Sequence, residues 1–80
     1  MTINDAVANR VAELLKVRNM TQYRLEVESG ITHGALDKIM TGENKTITLT
    51  TLYKLARGFN ITIFEFLDDK NFRAEDLEID

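Results

Sequence analysis

The twenty residues from Thr21 to Met40, TQYRLEVESGITHGALDKIM, constrain this chain more than any other stretch. They read as two short helices joined by a single turn. Thr21 offers a hydroxyl that caps a helix running to Ser29, and Gly30 can take the left-handed conformation that ends it. Ile31 follows as an apolar plug, and Thr32 caps a second helix that carries Leu36, Ile39 and Met40 toward a core before Gly42 stops it. Helices this short are not stable alone, so the remaining residues must be their scaffold.

The scaffold is legible as further helices. No proline occurs, so punctuation falls to Gly30, Gly42 and Gly58 and to threonine and asparagine caps. From Asn4 to Arg18, Val7, Val11, Leu14 and Leu15 have the spacing of a helix with one buried stripe; Asp5 near its start and Lys16 and Arg18 near its end suit the helix dipole. Asn19 and Met20 form the turn that follows. The run Lys45 to Thr51 alternates like a strand, but Leu49, Leu52, Leu55, Ala56 and Phe59 have helical spacing, which favours a loop capped by Thr48. Asn60 and Ile61 make the next turn, and Thr62-Ile63-Phe64-Glu65 has the form of a capping box. That last helix should close one end of the core. At least two of Phe64, Phe66 and Leu67 are expected inside, with a dimer patch as the alternative for any left exposed. The expected fold is all-α, a compact five-helix bundle over residues 1–67. An acidic tail, 68–80, follows; Phe72, Leu77 and Ile79 are its larger apolar residues, and partial disorder or docking on a partner is expected there.

Composition narrows the function classes. A chain of 80 residues buries only about 60–65% of its unfolded surface, which argues against a deep enzyme cleft. No nucleophile, base and orienting group recur at a catalytic spacing, and no phosphate-cradling loop is present. Without cysteine there is neither a disulfide framework nor a thiolate site, and the single histidine, His33, does not make a zinc site, so no metal or cofactor is expected. No apolar run approaches the ~20 residues of a membrane span, and MTINDAVANR lacks a signal-peptide pattern, so a soluble cytoplasmic protein with no membrane association is expected. The sequons at Asn19, Asn44 and Asn60 are accordingly read as turn and cap chemistry. The net charge of −3 disfavours nucleic acid at first sight. Its distribution changes the argument: residues 1–67 hold eight Lys or Arg against seven Asp or Glu, whereas 68–80 hold two against six. A near-neutral body binds DNA if its cations cluster on one face, with weak non-specific affinity.

The ordered features resemble the Cro and lambda-repressor (XRE) family of helix-turn-helix proteins. The resemblance rests on Thr21-Gln22, Leu25, Ser29-Gly30-Ile31-Thr32, Leu36, Ile39 and Gly42, and continues through Leu52, Leu55, Ala56, Asn60-Ile61-Thr62, Glu65 and Leu67. It covers roughly residues 4–68 and implies a lambda-repressor-like DNA-binding domain. On that basis the expected function is a sequence-specific transcriptional regulator, a repressor, acting as a homodimer on double-stranded DNA with recognition helix 32–41 in the major groove. The alternative is a protein-interaction module or antitoxin on the same scaffold, with a protein partner on the acidic tail. Three features depart from the family pattern. Glu26 stands where alanine is frequent, so it either escapes to solvent or alters the crossing of the two helices; Gly34 replaces a base-reading side chain; and the loop after the recognition helix lacks proline.

The resemblance also assigns candidate contacts. Gln22 matches a position that touches a phosphate and braces the recognition helix. His33 lies where the first base-reading side chain projects and can donate to guanine N7 or a phosphate, the alternative being a solvated histidine near a cap. Lys38 can bind guanine O6 and N7, while Asp37 accepts from a cytosine amine or repels phosphate. Gly34 permits close backbone approach only. Asn44, Lys45 and Thr46 match the loop that meets the sugar-phosphate backbone, and Thr32 caps its helix while retaining a hydroxyl for phosphate. Arg10, Arg24, Lys54 and Arg57 read as solvated helix charges.

Overall fold

Among the described residues, each α-helix is capped at its start by a threonine. The computed structural model describes residues 1–44, 46–73, 75, 77 and 78. It contains α1 (Ile3–Val17), α2 (Gln22–Ser29), α3 (His33–Thr41), α4 (Leu49–Gly58) and α5 (Ile63–Leu67), then one 3-10 turn at Lys70–Phe72. The hydroxyls of Thr2, Thr21, Thr32, Thr48 and Thr62 each accept from the amide three residues on, contributing about 1 kcal/mol per helix. Thr2 with Asp5 and Thr62 with Glu65 form full reciprocal boxes. The fold is all-α, as the sequence implies. The threonine-rich run before Leu49 is loop and cap, with no strand among its described residues.

Helix ends use two devices. Gly30 and Gly42 terminate α2 and α3 in the left-handed region, at φ 75° and 79°. After α1 and α4 the same conformation is taken by Asn19 and Asn60, at φ 52° and 58°. There the next amide reaches back into the helix, Met20 to the Leu15 carbonyl at 2.8 Å and Ile61 to that of Ala56 at 3.0 Å. Thus Asn19-Met20-Thr21 and Asn60-Ile61-Thr62 each end one helix and start the next, which accounts for two of the sequons as turn and cap; the third includes Lys45, outside the described residues.

The core joins Val7, Val11 and Leu14 of α1, Leu25 of α2, the plug Ile31, Leu36 and Ile39 of α3, Leu55, Ala56 and Phe59 at α4, and Phe66 of α5. α2 packs mainly on α4 and α1 on α3. Two apolar expectations are corrected. Leu49 keeps the helical spacing of Leu52 and Ala56 but stands at the very start of α4 and is exposed. In α5 only Phe66 of the three candidates is buried; Phe64 is 86% exposed and Leu67 is on the margin. A five-residue helix has one inward face, which Ile63 and Phe66 share at a spacing of three, so Phe64 points about 100° away.

Arg10 is also corrected. Its guanidinium is mostly buried and donates to the carbonyls of Phe66 at 2.8 Å and Glu65 at 2.9 Å, with a 3.2 Å ion pair to Asp69. These carbonyls belong to the last turn of α5, where no helical donor is available, so a cation from α1 caps α5. Arg18 does the same for the Phe59 carbonyl that closes α4. The segment after α5 continues this corner: Phe72 packs at 6.0 Å from the Phe66 ring, and buried Asn71 donates to Glu13 of α1 at 2.8 Å. Glu78 then pairs with the start of the chain, its carbonyl accepting from the Ile3 amide at 3.0 Å. Residues 69–73 therefore lie against α1, because Phe72 has an apolar surface to cover and Asn71 a carboxylate to reach.

Candidate nucleic-acid interface

With Leu36 and Ile39 turned inward, α3 shows Thr32, His33, Gly34, Asp37 and Lys38 to solvent. Beside it runs an open cleft of about 590 Å³, between α3, the following loop and the start of α4. Five of the expected residues line it: Thr32, Gly34, Lys38, Asn44 and Thr46. Asn44 is placed there because its amide and that of Glu43 both donate to the Lys38 carbonyl, at 3.3 and 3.0 Å, folding the loop back onto the end of α3. Gln22 opens α2 and is half-buried; His33 and Asp37 are exposed on α3; all three lie outside the cleft lining. Lys45 falls outside the described residues.

Sequence reasoning missed the α4 wall. Thr48, Thr51 and Lys54 also line the cleft, although Lys54 reads alone as a solvated helix charge. Their spacing of three places them along one side of α4, next to the stripe that buries Leu55 and Phe59. That periodicity was the available signal.

The cleft is electropositive for identifiable reasons. Neither Lys38 nor Lys54 forms an ion pair with a described residue. Thr32 and Thr48, the caps of α3 and α4, both border the cleft, so two positive helix ends open on it. The Thr32 hydroxyl accepts from the Ala35 amide and keeps its own proton to donate, whereas the Thr48 hydroxyl accepts from the Thr51 amide and also shares a 3.1 Å hydrogen bond with the Thr51 hydroxyl. Among the described residues, no three His, Asp or Glu side chains are placed to hold a metal ion. The arrangement suits an extended polyanion.

Glu26 does not escape to solvent. Its side chain is only 13% exposed, and its Oε2 lies 2.7 Å from Nδ1 of His33, whose ring is 78% exposed. The hydrogen bond to Glu26, then its negative charge, holds the imidazole above its ordinary pKa; slight desolvation opposes this and Asp37 adds to it. The carboxylate therefore stays at the α2–α3 boundary, satisfied by the first residue of α3.

A family model described as the Cro/C1-type HTH DNA-binding domain matches residues 10–78. The chain belongs to the Cro/C1-type helix-turn-helix family. Comparison with curated proteins and with solved structures returned no match. In this Cro/C1-type domain α2 and α3 are the helix-turn-helix pair, with Gly30 and Ile31 as the turn. The match extends beyond α5 through the segment that returns to α1. Families of this type are typically non-enzymatic DNA binders. Among the described residues no helix is long and apolar enough to cross a membrane.

Proposed function

We propose that this protein is a sequence-specific transcriptional repressor that acts as a homodimer on double-stranded DNA, with residues 32–41 in the major groove. The observation that carries the reading is the gathering of Lys38, Asn44, Thr46 and Lys54 around one cleft onto which two helix N-termini open. In this reading His33 and Lys38 read base edges, and Asp37 selects a cytosine amine or excludes other registers. Gln22, Asn44, Lys45, Thr46 and Lys54 hold the sugar-phosphate backbone, and Gly34 lets the backbone of α3 approach the groove. The exposed Phe64 and Leu67 of α5 supply apolar surface suited to a symmetric dimer contact. A bound dimer blocks polymerase by occupancy, without chemistry.

Random-sequence selection on duplex DNA tests this directly. The expected result is a pseudo-palindromic consensus whose affinity falls steeply between about 50 and 200 mM salt. Recovery of no consensus, or an affinity indifferent to salt, would sink the reading.

A further inference from the structure

We propose that Glu26 is a positioning and specificity-determining residue for His33: it fixes the imidazole with Nδ1–H engaged, so that Nε2 alone is offered to DNA and its donor or acceptor character follows pH. This rests on the DNA-regulator reading above. Three observations carry it. Glu26 Oε2 and His33 Nδ1 are 2.7 Å apart; the carboxylate is largely withdrawn from water while the ring is open to it; and His33 is the first residue of α3, on the exposed side of that helix.

The chemistry follows from proton counting. A carboxylate is an acceptor only, so Nδ1 must carry a proton whenever the pair is made. The neutral ring then presents Nε2 as an acceptor, complementary to the amino groups of adenine or cytosine. Once protonated, the ring presents Nε2–H as a donor, complementary to guanine O6, to the N7 that both purines share, or to a phosphate, so guanine is favoured over adenine through O6. A free histidine exchanges tautomers and has no such fixed polarity.

The charged groups acting on the ring are Glu26 from α2 and Asp37 from its own helix, both carboxylates that favour the imidazolium. Lys38 lies one position further round α3. α1, which also packs on α3, brings Asp5 beside Gly42 at the opposite end. The ring pKa is raised, so the donor state is present below the ordinary imidazole value of about 6.5 and is lost as pH rises through the higher folded value.

His33 is the only histidine, so its nitrogen resonances are unambiguous. The test combines 15N NMR titration of the free protein with duplex affinities from pH 5.5 to 8.5 at fixed ionic strength. The probes are a duplex recovered by random-sequence selection and variants of it at the base pair protected by His33. The neutral ring is expected as the Nδ1–H tautomer. Affinity for guanine at that pair, relative to adenine, should rise about fivefold to tenfold as the ring protonates. Glu26→Gln retains an acceptor for Nδ1–H without the charge, so it should keep the tautomer while moving both the NMR midpoint and the preference midpoint to lower pH. His33→Asn should flatten the pH profile. A neutral Nε2–H tautomer, or a base preference that ignores pH, overturns the inference. So does a Glu26→Gln profile superimposable on the wild-type one, since a merely structural Glu26 moves no midpoint. An intact pair with no duplex bound at any pH contradicts the regulator reading itself and removes the DNA role of the pair.

Discussion

Gly58 and Gly34 are both helical glycines, and they mark the two extremes of this molecule. A Cβ on Gly58, in the seam between α2 and α4, would lie 2.6 Å from Leu25 Cδ1 and 3.0 Å from Ser29 Cβ; one on Gly34, at the outer start of α3, would meet nothing within 4 Å. In the seam glycine is required by close helix approach. On α3 it leaves room. The contrast teaches how a small domain divides its labour: α2 and α4 meet with no room for a side chain, while α3 is anchored on its inner side by Leu36 and Ile39 against α1 and leaves its first turn uncovered.

The largest effect should come from emptying the seam. Leu25 is fully buried, and Leu25→Ala should cost about 2–5 kcal/mol in denaturant unfolding. Gly58→Ala should cost about 1–3 kcal/mol, through overpacking that outweighs any gain in helix propensity. If the two share one steric conflict, the double variant should be less destabilised than the sum of the singles, and strict additivity would break the account of the seam. Gly34→Ala should do the opposite. It should stabilise the fold by less than about 1 kcal/mol, because Gly34 sits in the first turn, while weakening duplex binding where the bare backbone approaches DNA. Equal stability and equal affinity would remove the distinction between the two glycines.

A smaller effect concerns the corner. The Asp69 carboxyl is held below its ordinary range, first by the Asn71 amide, then by the Asn71 side chain, Arg10 and Lys70, with burial opposing. The stabilisation is present above the unfolded value near pH 4 and is lost as pH falls through the lower folded value. Asp69→Asn should therefore shallow the decline in stability measured by acid titration below about pH 4. An unchanged acid slope would show that Asp69 is not part of the tie.

Local chemistry made much of the fold readable from sequence. Threonine caps, the Asn19 and Asn60 turns, and the glycines ending α2 and α3 each depend on a few neighbouring residues, and four of the five threonine caps are legible that way. Arg10 was not legible, because its partners Glu65, Phe66 and Asp69 lie more than fifty positions along the chain. The Gly58 contact and the Glu26–His33 pair are likewise meetings of separate elements. Phe64 misled for another reason: hydrophobicity alone does not say which side of a five-residue helix faces the core. In the candidate interface, the family resemblance pointed to α3 and its loop, and five of the residues it singled out, Thr32, Gly34, Lys38, Asn44 and Thr46, line one cleft. The α4 wall required knowing that Thr48, Thr51 and Lys54 face α3 across a cleft.

The most direct test of the central claim is an amide 15N NMR titration with a duplex of about 20 bp recovered by random-sequence selection, long enough for two adjacent major grooves. The account predicts that shifts concentrate at Thr32, Gly34, Lys38, Asn44, Thr46 and Lys54, while the seam around Leu25 and Gly58 stays in place. Shifts centred instead on the Arg10 corner and the segment after α5, with the α3 cleft unmoved, would contradict it.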